Sequence, residues 1–220
     1  MRVSTPSPRW LHLIRHGSVV QPTSDDGAIC YGWTDLPLAD AGRADMHALA
    51  AASPPVRAVP MWSSDLSRAR DSATLLLAEW GRDADELQVD ARLREVHFGA
   101  FEGRAWRAVE RDDAPAFTEW MAGWETAAPP GGESFPSLIA RVDDWWCDVQ
   151  RNATDTAAPP HEWIVVTHAG VVRAALCVFA GLTPAAAFTL TLRCGHVTTL
   201  RFGAPGDRAV IERLDQPRLI

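Results

Sequence analysis

The stretch EWIVVTHAG, residues 162–170, constrains the fold more than any other part of the chain. Trp163 is followed by Ile164, Val165 and Val166, four apolar residues in succession and three of them β-branched. A strand that is apolar on both sides must be covered on both sides, as a central strand between two layers of helices is. A second run, WLHLI at 10–14, has the same character and stops abruptly at Arg15, His16 and Gly17. Ligands of open α/β sheets bind beyond the carboxyl ends of the strands. Two buried strands that each run into a histidine and a glycine therefore point to one functional sheet edge.

The remaining segments supply the alternation that such a sheet needs. PLADAGRADMHALAAAS has helical composition and a proline-rich stop at Pro54 and Pro55. VRAVPMWSS (56–64) is a second strand with Pro60 marking a bulge or an edge. DLSRARDSATLLLAEWG is a helix with a polar cap near Ser64 or Asp65 and an end at Gly81. ELQVDARLREV reads as extended, and GRAWRAVERDDAPAFTEWMAGWE as two helices broken near Pro115. Phe135, Leu138, Ile139, Val142, Trp146 and Val149 recur at helical spacing. VVRAALCVFAG is a helix ended by Gly181, and HVTTLRF with RAVIERL forms a hairpin around GAPGD. A Pro/Ala/Thr loop spans 153–160. Strands alternating with helices predict an α/β sandwich with right-handed crossovers, one domain over 1–220. The tryptophan-rich stretch at 104–130 is a helical, lid-like excursion from it.

Charge narrows the partners. The formal charge is −7, with 21 Lys and Arg against 28 Asp and Glu, and no basic stripe is present for a phosphate backbone. Nucleic acid is excluded as a general partner, and an anionic ligand has to be held by a local cluster of cations. Cys30, Cys147, Cys177 and Cys194 form no C-x-x-C pair, which fits reduced thiols and a cytoplasmic setting. MRVSTPSPRW has no apolar signal core, and no stretch has the length of a membrane span, so no membrane partner is expected.

Four segments place chemistry at the predicted edge: Arg15, His16 and Gly17; His168 and Gly170; the serine cluster that opens a helix with Arg68 and Arg70; and Glu95 with His97 before a glycine turn. Two guanidiniums match the oxygens of a phosphate dianion. One imidazole can be the phosphorylated nucleophile while a second stabilises charge on the same oxygens. A carboxyl group can protonate the leaving oxygen and then accept a proton from water. This chemistry needs no metal and no organic cofactor.

LIRHG, YGWTDLPLADAG, SSDLSRARDSA, LREVHFGAFEG, PPGGES and VVTHAG occur here in the order of the histidine phosphatase (phosphoglycerate mutase-like) superfamily. The resemblance runs from about residue 10 to 202. It implies a three-layer α/β/α sandwich with a mainly parallel central sheet. It also implies His16 as the phosphorylated nucleophile, Arg15 and Arg68 as the phosphate clamp, His168 as the second pocket histidine with Ala169 beside it, and Glu95 as the proton donor. The expected partner is a small phosphorylated substrate, with a homodimer left open. EVHFGAFEG and PPGGES resemble the phosphatase branch, Gly32 and Trp33 are a mutase-like feature, and CYGWTDLPL is similar to alpha-ribazole phosphatases. The reading is a phosphomonoesterase, with a phosphoglycerate mutase and a phospho-ligand-binding module as alternatives.

Several residues keep two readings. Arg70 is read as a solvated helix charge and Glu102 as a turn-fixing carboxylate. His97 is either a support for Glu95 or a half-exposed loop residue, and His196 either reaches the pocket rim or packs. Trp33 belongs to the same rim. Trp106, Trp120 and Trp124 either pack the core and lid or shape a pocket for an aromatic or ribosyl group. SVVQPTSDDG after the RHG and His196 in CGHVTTL depart from the family pattern. Gly17 is expected to let the backbone turn away from an approaching phosphate.

Overall fold

A computed structural model describes residues 8–22, 24–54, 58–154, 160–204 and 207–219. Parts of the sequence readings at the N-terminal segment, at Pro55, in the 153–160 loop and in the GAPGD turn lie outside those residues.

β1 (Arg9–Arg15) and β4 (Glu162–Thr167) are the two apolar runs, and they lie side by side in parallel, with Arg15 opposite Thr167. β2 (Met61–Ser63) pairs in parallel with β4, and β3 (Leu87–Val89) in parallel with β2. β5 (Val197–Phe202) runs antiparallel to β1, and β6 (Val210–Gln216) antiparallel to β5. The order among the described residues is β3-β2-β4-β1-β5-β6.

The period-two geometry of a strand splits the core into two layers. Leu11, Leu13, Trp163 and Val165 face α5 (Phe135–Thr154) and α6 (Ala169–Ala180). Ile14, Ile164 and Val166 face α1 (Asp40–Ala52) and α2 (Ser67–Glu79). This is the expected three-layer sandwich. α5 also buries Trp145 completely, a position outside the periodic set read from the sequence, where it meets Trp62 edge-on at 5.8 Å.

Boundaries moved where local chemistry overrode composition. α2 begins at Ser67 rather than near Ser64, because Asp35 accepts from both the backbone N–H and the hydroxyl of Ser67. Asp65 is instead paired with Arg94. α3 (Trp106–Asp112) and α4 (Ala114–Ala122) are the two helices expected there, with Pro115 in the first turn of α4, where its missing N–H costs nothing. They enclose a third, small cluster around Cys30, Phe101 and Val109. α6 ends at Gly181 in the left-handed region, φ 75°. A further short helix, α7 (Pro184–Phe188), was not foreseen.

The reason given above for Gly17 is corrected. A side-chain carbon there would run into the backbone oxygen of Gly42, and one at Gly42 into the backbone of Ser18. The two glycines let the segment after β1 lie directly on the first turn of α1, so packing rather than phosphate approach demands them.

Candidate active site

The β1–β4 register sets the centre of the site. With Arg15 opposite Thr167, the next residues on the two strands, His16 and His168, leave the sheet together. The His16 N–H donates to the Thr167 carbonyl at 2.9 Å, and the two imidazoles meet edge-on with centroids 5.0 Å apart. Both histidines are buried.

The two rings are held differently. His16 Nδ1 lies 2.7 Å from the Gly17 carbonyl oxygen. A carbonyl only accepts, so Nδ1 carries the proton and Nε2 keeps its lone pair. Burial, and after it the nearby Arg68 guanidinium, pushes the His16 pKa down to about 3, so the ring is neutral. Neither ring nitrogen of His168 has a hydrogen-bond partner among the described residues. Burial and then the neighbouring His16 hold its pKa well below the usual histidine value. Buried polar nitrogens left without partners are costly and mark a place where a polar ligand completes the bonding.

Two arginines border this pair. Arg68, in the first turn of α2, is fully buried and donates to the Thr34 carbonyl at 2.9 Å and the Gly32 carbonyl at 2.6 Å. Its nearest carboxylate, Asp35, is 4.0 Å away and exposed. Arg15 donates to the Leu192 carbonyl at 2.6 Å. The Nε of each is buried without a partner among the described residues. Both guanidiniums are thus oriented by backbone carbonyls, which fix a fork without neutralising it.

The carboxylate of Glu95 accepts from the Val96 N–H at 2.9 Å and, with its other oxygen, from the Gly170 N–H at 3.2 Å. It sits in the first turn of α6, whose N-terminal N–H groups have no intrahelical partners. Ala169 is the first residue of that helix, directly after His168. A side-chain carbon on Gly170 would displace the Glu95 carboxylate.

The backbone carrying Glu95 is held by Arg141 together with Glu133, two residues to which the sequence reading gave no role, although Glu133 lies within PPGGES. Arg141 of α5 donates to the carbonyls of Arg92, Arg94 and Glu95, and pairs in a fork with Glu133. They are eight residues apart, a spacing that marks no motif. Glu102 does what was expected of it: it accepts from the Trp33, Thr34 and Phe98 N–H groups and from the Thr34 hydroxyl. Burial opposes its charge, but those bonds outweigh it and hold the carboxyl below its ordinary range.

The rim residues divide. Trp33 donates its indole N–H to the Glu95 carbonyl at 2.8 Å, and its ring contacts His97, tilted at 37° with centroids 4.6 Å apart, and the Arg94 guanidinium at 4.7 Å. His97 therefore packs on the rim against Trp33. His196 packs beside Arg15, its backbone carbonyl accepting from the Arg15 N–H and its Nδ1 lying 3.0 Å from the Cys194 carbonyl. Arg70 is exposed, as expected.

A family model of the histidine phosphatase superfamily (branch 1) matches residues 11–215. The chain belongs to that superfamily. It is 29% identical over 165 residues to an adenosylcobalamin/alpha-ribazole phosphatase of Salmonella typhimurium, covering 74% of this chain and 75% of the relative. It is 32% identical over 180 residues to a glucosyl-3-phosphoglycerate phosphatase of Mycolicibacterium vanbaalenii, covering 79% and 75%. The alpha-ribazole phosphatase structure from Shigella flexneri superposes with a TM-score of 0.79 at 22% identity, covering 96% of this chain and 98% of that one. At that identity the likeness concerns the fold alone.

The wall beyond Glu95 is largely apolar. A cavity of about 470 Å³ opens there, bounded by Glu95 and Gly170 and walled by rings from four separate segments. Trp106 and Trp120 stack at 6.1 Å and 8°, and Trp124 packs on Phe188 at 4.3 Å. The three tryptophans thus resolve as a pocket wall as well as packing. Phe188 and Arg173, also in this wall, carried no signal in the sequence. Among the described residues no group of acidic, histidine and cysteine side chains is arranged to hold a metal ion, and no helix is long and apolar enough to cross a membrane.

Proposed function

We propose that this enzyme hydrolyses the phosphate monoester of a small metabolite through a phosphohistidine formed at Nε2 of His16. The observation that carries the reading is the paired histidines: one imidazole fixed by a carbonyl so that its Nε2 lone pair is free, the other buried with both nitrogens unpartnered.

In the first step Nε2 of His16 bonds to phosphorus as the bond from phosphorus to the ester oxygen breaks. Arg15, Arg68 and His168 bind the non-bridging oxygens, with the N-terminal turn of α6 at Ala169 adding N–H donors. Glu95 gives the departing oxygen its proton. Its two carboxylate oxygens are held in place by the Val96 and Gly170 N–H groups. In the second step water attacks phosphorus, Glu95 takes the water's proton, the bond to His16 breaks and inorganic phosphate leaves.

The chain works in this reading as one domain over 1–220, with 104–130 as part of the substrate wall. Alpha-ribazole 5′-phosphate and glucosyl-3-phosphoglycerate, the substrates that the relatives' names give, are the first esters to assay. The deciding experiment is a rapid quench with a ³²P-labelled ester. Acid-labile, base-stable label on the wild type and none on His16→Ala is the expected result. Unlabelled wild type that still releases phosphate would overturn it. Conversion of 3-phosphoglycerate to 2-phosphoglycerate in the presence of 2,3-bisphosphoglycerate, with no free phosphate, would make the enzyme a mutase.

A further inference from the structure

The cavity beside Glu95 has features that the phosphate chemistry does not use. Its volume, about 470 Å³, lies within the usual range for small-molecule sites, about 300–1,000 Å³. Phe98, Trp106, Trp120, Trp124 and Phe188 give it flat aromatic walls. Of its two carboxylates, Glu133 is occupied by Arg141, and Glu95 belongs to the reaction.

Arg173 is the unusual member. It lies on α6 three residues after Gly170, so it occupies nearly the same helix face a little under one turn, roughly 4.5 Å, behind the N–H that holds Glu95. One terminal nitrogen donates to the Leu190 carbonyl at 3.3 Å, and the guanidinium lies 4.9 Å over the Phe188 ring. No carboxylate is bonded to it among the described residues, and its Nε is buried without a partner. A guanidinium set in an apolar wall with no carboxylate bonded to it is a charge that a bound ligand oxygen would stabilise.

Position decides which part of a substrate meets these groups. Glu95 protonates the ester oxygen, so whatever is attached to that oxygen extends past Glu95 and Gly170 into the cavity. We infer that the cavity is the leaving-group site. It selects phosphate monoesters whose alcohol carries a flat aromatic or heteroaromatic ring joined through a short, oxygen-bearing linker, with Arg173 donating to the linker oxygen. This rests on the hydrolase reading above and adds the substrate class to it. The rings supply stacking and apolar area, while the guanidinium of Arg173, with no carboxylate bonded to it among the described residues, disfavours a ring whose linker offers it no acceptor.

The test measures kcat/KM for three esters against p-nitrophenyl phosphate. Adenosine 5′-monophosphate has both ring and linker oxygens, 2-phenylethyl phosphate the ring alone, and glycerol 3-phosphate the oxygens alone. Wild type is expected to favour the first over each of the others by at least tenfold. Arg173→Met is expected to reduce the preference for adenosine 5′-monophosphate over 2-phenylethyl phosphate by tenfold or more. Arg173→Lys, which keeps a charge and loses the fork, should give an intermediate ratio and serves if the methionine variant does not fold. Trp120→Ala should reduce the preference for both ring-bearing esters over glycerol 3-phosphate. Equal kcat/KM across the three esters in wild type, or one common factor on all three in the Arg173 variants, overturns the inference while p-nitrophenyl phosphate turnover leaves the hydrolase reading standing. No phosphate released from any ester overturns both.

Discussion

The pocket around His16 and the cavity beyond Glu95 share one carboxylate and are otherwise built by opposite means. In the first, Arg15 ends a strand, His16 and His168 follow directly on strands and Arg68 opens a helix, and backbone carbonyls fix three of these four: Gly17 for His16, Thr34 and Gly32 for Arg68, Leu192 for Arg15. In the second, Phe98, Trp106, Trp120, Trp124 and Phe188 come from separate segments and hold one another by ring packing alone. Ladder register places an atom to a fraction of an ångström, as charge stabilisation requires. Ring packing sets a volume and tolerates exchange of one large side chain for another. The division therefore separates chemistry from selection, and variants on the two sides should fail in different ways.

The largest effect belongs to the nucleophile. His16→Ala should reduce kcat by about 10⁴-fold or more for every ester, since removing a nucleophile removes the two-step path. Next is His168→Ala, with a loss of about 10²- to 10³-fold that is also independent of the alcohol, the scale of deleting a donor aimed at developing charge. An effect of His168→Ala that varied with the leaving group would blur the line between the two regions.

Glu95 sits on that line and should show both behaviours. Glu95→Gln is expected to lower kcat for alkyl phosphates by about 10²- to 10⁴-fold, and far less for p-nitrophenyl phosphate, whose leaving oxygen needs little protonation. Equal losses on both would move the acid elsewhere. Gly170→Ala gives a milder form of the same test. Its new carbon meets the far end of the Glu95 side chain, which can swing away, so the protein should fold while the carboxylate is misplaced. The leaving-group pattern of Glu95→Gln at smaller amplitude is the expected readout.

The same contrast explains what could be read from the sequence. LIRHG and VVTHAG each announce a strand and the polar residues at its end, so the sheet and the meeting of His16, His168 and Arg15 at its edge were legible, and the family resemblance preferred Arg68, which is buried, to the exposed Arg70. The roles of Arg141 and Glu133 were not legible, because Arg141 donates to three backbone carbonyls of 92–95, 46 to 49 residues away in the chain, and Glu133 acts by holding Arg141. Arg173 looked like one more helix residue within VVRAALCVFAG. Only the packing of α7 against α6 puts Phe188 over it and turns it into a cavity wall. Gly17 was legible as a required glycine, but the requirement comes from Gly42, across a contact that no local pattern encodes.

The smallest effect concerns stability and arises on the polar side alone. His12, His16 and His168 are all buried with pKa values pushed down, His12 to about 4 and His16 to about 3, with burial the main cause in each. In the unfolded chain these imidazoles take up protons near pH 6.5. Between that value and their folded pKa values the unfolded state therefore binds more protons than the native one, and stability rises with pH across the interval. The contribution is fully present above about pH 6.5 and is lost as pH falls toward 4 for His12 and toward 3 for His16. Thermal unfolding followed by circular dichroism should show a steady fall in Tm over that range. His12 is the informative control, because its Nδ1 is 2.9 Å from the Thr199 hydroxyl, away from the paired imidazoles. His12→Gln should flatten the acid limb while leaving phosphoryl transfer in place. If the slope is unchanged in that variant and also in His168→Gln, the buried imidazoles are not its source, and the carboxylates in ion pairs such as Asp65 with Arg94 become the alternative.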